Sequence, residues 1–114
     1  MRRGEVWLIN LDPTAGSEIR KTRPAVIVSD DSIGILPLKV VVPITDWKDR
    51  YSIAAWLIRL APTPDNGLEK ASAADAFQVR SVAQERFVRR TGKLTAAEMK
   101  LIESALATVL GIEA

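Results

Sequence analysis

The feature that most constrains the fold of this chain is a change of apolar period near Thr95. Before it, apolar residues come in short runs broken by Gly, Pro, Asp and Asn. After it, they recur at helical spacing. Glu5 to Leu11 (EVWLINL) alternates as a strand does and is broken by Asp12-Pro13-Thr14-Ala15-Gly16. Pro24 opens a second run, Ala25 to Ser29, and Lys39 to Thr45 forms a third; both are nearly continuously apolar, as strands covered on two faces are. Ile53 to Leu60 is a fourth, closed by the turn-rich Pro62 to Gly67, and shorter strands are expected at Ser72 to Asp75 and Phe77 to Val82. Thr95-Ala96-Ala97-Glu98 then forms a capping box, and Met99, Ile102, Leu106 and Val109 make a helical stripe that Gly111 stops. A helix packed on a sheet is expected rather than a free partner-binding helix. The expected fold is mainly β, a small, strongly bent sheet or barrel with a C-terminal helix as cover, in one domain over residues 1–114.

Composition narrows the chemistry. The 114 residues suffice for one domain, and 47% apolar with 26% charged residues is the balance of a globular chain. Cysteine is absent, which excludes a disulfide framework, a thiolate zinc site and a cysteine nucleophile. Histidine is absent too, so the usual acid–base group near neutral pH is missing. The start, Met1-Arg2-Arg3-Gly4-Glu5, lacks a signal-peptide core, and no window approaches the roughly 20 apolar residues of a membrane span. A soluble, cytoplasmic protein is expected. The net charge is only +2, but the cations cluster: Arg20, Lys21 and Arg23 form one basic knot, and Arg86, Arg89, Arg90 and Lys93 another. Taken alone, the second knot reads as a solvated charge run.

Without imidazole or thiol, and with Asp30-Asp31 and Asp46 with Asp49 lacking a metal-site spacing, DNA hydrolysis is poorly served. RNA differs, because its own 2′-hydroxyl lies beside the phosphorus; a protein need only orient the groups, move protons and stabilise negative charge. Arginine suits the last task, since its planar fork matches two phosphate oxygens. Arg23, held by the rigid Pro24 at a strand entrance, is a candidate, though on composition alone a surface arginine capping a turn is the plainer reading. Thr45, at a strand end, has a hydroxyl that can hold a phosphate oxygen, or is a routine strand-end threonine. Glu18, in the Ala15-Gly16-Ser17-Glu18 loop, can accept a proton or fix Arg23, or is simply solvated.

The segments Arg3-Gly4-Glu5-Val6-Trp7, Leu11-Asp12-Pro13-Thr14, Gly16-Ser17-Glu18, Thr22-Arg23-Pro24-Ala25-Val26, Val42-Pro43-Ile44-Thr45 and Gln78-Val79-Arg80-Ser81-Val82 stand in the order and spacing of one family. The chain resembles the MazF/PemK toxin endoribonucleases from about Arg3 through the terminal helix. The resemblance implies an SH3-like barrel with a C-terminal helix, acting as a homodimer. It implies metal-independent, sequence-specific cutting of single-stranded RNA, leaving a cyclic phosphate and a 5′-hydroxyl, with no cofactor. It also implies a cognate MazE-like antitoxin, acidic and partly disordered, through which alone DNA would be met. By matching motifs it implies a catalytic role for Arg23 and Thr45, a tie to activity for Glu18, and a place in the RNA groove for Gln78. Ser17, Arg20, Lys21, Trp47, Lys48 and Arg80 are further RNA-binding candidates.

One departure from the family is Phe77, which stands where many members carry an acidic residue just before Gln-x-Arg, the nearest acid being Asp75. Phe77 either fills core, the reading taken first, or stacks on a base. The loop Asp46-Trp47-Lys48-Asp49-Arg50-Tyr51 carries aromatics and cations suited to stacking on RNA, or to packing. Two other function classes stay open: a non-enzymatic gyrase poison of the CcdB type, whose C-terminal Trp-Gly-Ile is matched here only by Gly111-Ile112, and an inactive SH3-like binding module.

Overall fold

The computed structural model describes residues 1–33 and 35–113. Its strands are β1 (Glu5–Asn10), β2 (Thr22–Ile27), β3 (Leu38–Asp46), β4 (Leu57–Leu60), β5 (Ser72–Asp75), β6 (Arg80–Ala83) and β7 (Phe87–Lys93), followed by the helix α1 (Ala96–Leu110). They form one antiparallel sheet in the order β4-β5-β3-β2-β1-β7, with β6 also on β3. β3 explains the bend: Leu38 to Val41 pair with β6, whereas Ile44 to Asp46 pair with β5, so one long strand serves two ribbons.

The loop after β4 closes the sheet on its far edge. The Lys93 amide donates to the Asp65 carbonyl at 2.9 Å, which draws this loop onto β7. Gly67 and Gly92 make the approach possible: a Cβ on Gly67 would collide with the Thr91 carbonyl, and one on Gly92 with the Asp65 carbonyl. Asn66, fully buried, pins the loop from inside, accepting from the Thr63 and Leu68 amides and donating to the Ala61 carbonyl. The result is barrel-like, closed partly by loop backbone rather than by a strand ladder.

Both sheet faces are buried, and that is why β2 and β3 read as continuous apolar runs. Val6, Val26, Val42, Ile44, Leu60 and Ala74 face α1, meeting Met99 and Ile102. Ile9, Leu11, Ala25, Ile27, Val41 and Val82 form a second cluster on the opposite face, with Trp7 and Phe87 packed edge to face beside it. The helix begins and ends as its sequence requires: Thr95 and Glu98 exchange capping bonds and Gly111 closes it at φ 68°. Arg3 ties it to the sheet through a 3.0 Å ion pair with Glu103 and a bond from its Nε to the Val28 carbonyl.

Three expectations need correction. The strand expected at Ile53 to Leu60 is only Leu57–Leu60, because Asp49–Ile53 winds into a 3-10 turn. The run from Phe77 starts as a second such turn, Ala76–Gln78, since the Asp75 carboxylate accepts from the Phe77 amide and caps it; pairing begins at Arg80. The basic segment after Phe87, where no strand is expected, is solvated as expected but forms an edge strand paired with β1. Register shifts leave Val88 and Thr91 as extra residues on either side of Arg89 and Arg90, so two consecutive arginines both stay exposed and the alternation that marks a strand is lost. Among the described residues no helix is long and apolar enough to cross a membrane.

Candidate active site

Strand alternation decides where the two central candidates point. On β2, Ala25 and Ile27 belong to the second core cluster, so Arg23 lies on that face; on β3, Val41 belongs to it, which puts Pro43 and Thr45 there. The β2–β3 ladder runs as far as Ala25 and Pro43, and Arg23 and Thr45 each lie two residues beyond that pair on the same face. Arg23 is half-buried, its Nε donates to the Arg20 carbonyl at 3.4 Å, and among the described residues it has no carboxylate partner. Its remaining fork atoms are available to an anion.

A cavity of about 330 Å³ opens at Pro43, two residues before Thr45, bordered also by Ser17, Glu18, Ile19, Gln78 and Arg80. Its wall is the β1–β2 loop, held by side chains from the segment that leads into β6. The Gln78 amide clasps the loop twice, Oε1 accepting from the Ile19 amide at 2.8 Å and Nε2 donating to the Ser17 carbonyl at 2.9 Å. Arg80 donates to the Leu11 carbonyl, and Arg86 to those of Asn10 and Asp12. Glu18 is turned onto its own loop, accepting from the Ala15 amide at 2.6 Å.

Thr45 lies between this cavity and a second group of candidates. Beyond the end of β3, Trp47 meets Tyr51 edge to face at 5.9 Å and takes the Arg59 guanidinium over its ring at 5.8 Å, while Lys48 is exposed. Arg20 and Lys21 are exposed in the β1–β2 loop, Lys21 at φ 71° with its carbonyl accepting from the Leu11 amide. The structure thus gathers Ser17, Glu18, Gln78 and Arg80 with Pro43 at one cavity that Arg23 and Thr45 do not line; Trp47 and Lys48 lie past Thr45, and Arg20 and Lys21 are not drawn in.

Two further cations share a cavity with Arg23: Lys70, which the sequence does not single out, and Arg89, one of the second basic knot. A second cavity, of about 320 Å³, is lined by Arg23, Pro24, Asp46, Lys70, Arg89 and Leu8 among others. Lys70 is paired with Asp46 at 3.0 Å, whereas Arg89 has no carboxylate partner among the described residues. Arg89 is solvated, as the basic knot suggests, and β7 carries it to the rim of this cavity. The core reading of Phe77 is overturned. Phe77 is 67% exposed, set edge to face on Trp56 at 6.1 Å, because the 3-10 turn lifts it off the sheet. Beside them a cavity of about 560 Å³ is lined by Tyr51, Ile53, Trp56, Leu57 and Asp75. Burial pushes the Asp75 carboxyl above its ordinary value, outweighing the Phe77 and Gln78 amides that favour the anion. Among the described residues no three carboxylates gather to hold a metal ion.

Such a face can bind a phosphodiester at Arg23, hold one of its oxygens at Thr45, and admit a flexible strand to the flanking cavities. A family model described as PemK-like, MazF-like toxin of type II toxin-antitoxin system matches residues 2–110. The chain is 38% identical to Endoribonuclease MazF9 of Mycobacterium tuberculosis (strain ATCC 25618 / H37Rv), over 93% of this chain and 92% of that one. Its fold matches a crystal structure of MazF from Deinococcus radiodurans, with a TM-score of 0.80 at 21% identity over 98% of this chain and 97% of the other. An endoribonuclease in complex with its cognate antitoxin from Mycobacterial species has the same fold, with a TM-score of 0.77 at 23% identity over 100% and 98%. The barrel, its C-terminal helix and the matched length together place this chain in the family of PemK-like, MazF-like toxins of type II toxin–antitoxin systems.

Proposed function

We propose that the chain is the toxin of a toxin–antitoxin pair and a metal-independent, sequence-specific endoribonuclease that cuts single-stranded RNA and so inhibits translation and growth. The observation that supports this reading is that strand alternation puts Arg23 and Thr45 on one sheet face, each two residues beyond the Ala25–Pro43 pair. The substrate supplies the nucleophile. Its 2′-oxygen attacks the adjacent phosphorus, the P–O5′ bond breaks, and a cyclic phosphate and a 5′-hydroxyl result. Arg23 stabilises the charge that builds on the phosphoryl oxygens, and the Thr45 hydroxyl donates to one of them. Glu18 is the carboxylate at the cavity able to take a proton once its loop releases it. Ser17, Gln78 and Arg80 shape the groove on one side of Thr45, and Trp47 with Lys48 serves the other, with Arg20 and Lys21 adding charge at the loop.

The toxin acts in the cytoplasm as a homodimer and is restrained by an acidic, partly disordered antitoxin; the solved complex of a related fold with its antitoxin supports that partner class. Incubation with a long RNA in the presence of chelator gives discrete fragments from the wild type and none from Arg23→Ala, with both proteins equally folded by circular dichroism. An Arg23→Ala variant that cuts at the wild-type rate would refute the site.

A further inference from the structure

The face that carries Arg23 and Thr45 continues across two more strands to another guanidinium. On β5, Ala74 packs into the helix-facing core, so Ala73 lies on the opposite face, paired with Thr45. On β4, Ile58 and Leu60 pack into that same core, so Arg59 lies opposite to it, paired with Ala73. Thr45, Ala73 and Arg59 therefore form one row across β3, β5 and β4, on the face that carries Arg23. At about 4.8 Å per strand, the Arg59 backbone is about 10 Å from that of Thr45.

The side chain leans back over this gap. The Trp47 amide donates to the Ala71 carbonyl, carrying the β3–β5 ladder past Asp46 and leaving Trp47 on the face of Thr45. Arg59 stacks over the Trp47 ring, and between the two strands β5 offers only the methyl groups of Ala71 and Ala73. Trp47 is braced by Tyr51. Arg59 is exposed and, among the described residues, pairs with no carboxylate, unlike Lys70, which Asp46 neutralises. A guanidinium stacked on a fixed ring has fewer rotamers to lose on binding, and its outward edge is still free to present a fork.

We propose that Arg59, seated on Trp47, binds a phosphate of the RNA strand next to the scissile one, so that the substrate runs from Arg23 past Thr45 and along the row to Arg59. This rests on the endoribonuclease reading. The row begins at Thr45, on the face of Arg23, which favours the backbone of the substrate itself over an acidic peptide as the occupant.

The test uses full-length protein and a single-stranded RNA bearing its mapped cut motif, with a 2′-deoxy nucleotide at the cut to prevent turnover. Affinity is measured over a series of salt concentrations. Arg59→Ala is expected to weaken binding about tenfold at low salt and to lower the slope of log affinity against log salt by about 0.7, one phosphate contact on a single strand. Arg59→Lys keeps the slope and regains only part of the affinity, and both variants melt with the wild type. With cleavable RNA at saturation, Arg59→Ala still cuts, whereas Arg23→Ala does not. Unchanged affinity and slope in Arg59→Ala, or a loss confined to binding of an acidic antitoxin peptide, would overturn the phosphate seat while Arg23→Ala stays inactive. An active Arg23→Ala would instead bring down the underlying site.

Discussion

Gln78 lines the cavity at Ser17 and Glu18 and, on the function proposed above, serves it by bracing its wall. Both ends of its amide hold the β1–β2 loop, through the Ser17 carbonyl and the Ile19 amide. Gln78→Ala is therefore expected to speed hydrogen exchange at the Ile19 amide, measured by NMR on the free protein, and to lower cleavage alike at every cut motif. Unchanged exchange with an altered base preference would instead make Gln78 a reader of sequence. The motif containing Gln78 was legible in the sequence; its partners were not, being 59 and 61 positions away. Asp75 gives a prediction with a definite sign. Burial raises its folded-state pKa above the ordinary 3.8, so the stability tied to its protonated form is full below that value and is lost as pH rises through the folded one. Asp75→Asn keeps an acceptor for the Phe77 amide and removes the titration. The melting-temperature gain of Asp75→Asn should grow from about pH 3 to neutrality, and parallel profiles for the two proteins would contradict this.

At the scale of elements, legibility follows how local the cause of each element is. The helix was readable end to end, since Thr95, Glu98 and Gly111 settle its limits within a few residues. β5 was readable from its own residues too, at Ser72–Asp75. β7 was not, because bulges put Arg89 and Arg90 side by side in water and erase its alternation. The 3-10 turns at Asp49–Ile53 and Ala76–Gln78 shortened two expected strands for a similar reason, Ile53 and Phe77 being apolar side chains that the sheet does not bury. The closure of β7 on the loop after β4 rests on backbone meeting backbone at Gly92. Gly92→Ala has no flexible neighbour to push aside and should cost about 1–3 kcal/mol, read as a lower urea midpoint. A midpoint equal to the wild type's would show that the loop yields without loss.

For the molecule as a whole, the change of period near Thr95 was enough to indicate a bent sheet with a helical cover, but not the strand order that brings its residues together. That order matters because β3 runs through both ribbons and so carries Thr45 where β2 delivers Arg23 on one side and β5 and β4 extend the face on the other. With one face of the sheet given to α1, Arg23, Thr45 and Arg59 lie at the margin of the second core cluster on the opposite face. On the function proposed above, catalysis there depends on a nucleophile that the RNA brings with it. The most direct measurement compares two oligonucleotides that differ in a single atom, one with a ribose and one with a 2′-deoxyribose on the 5′ side of the cut. The wild-type protein should cut the first to a cyclic phosphate and leave the second intact; scission of both at similar rates would contradict the account.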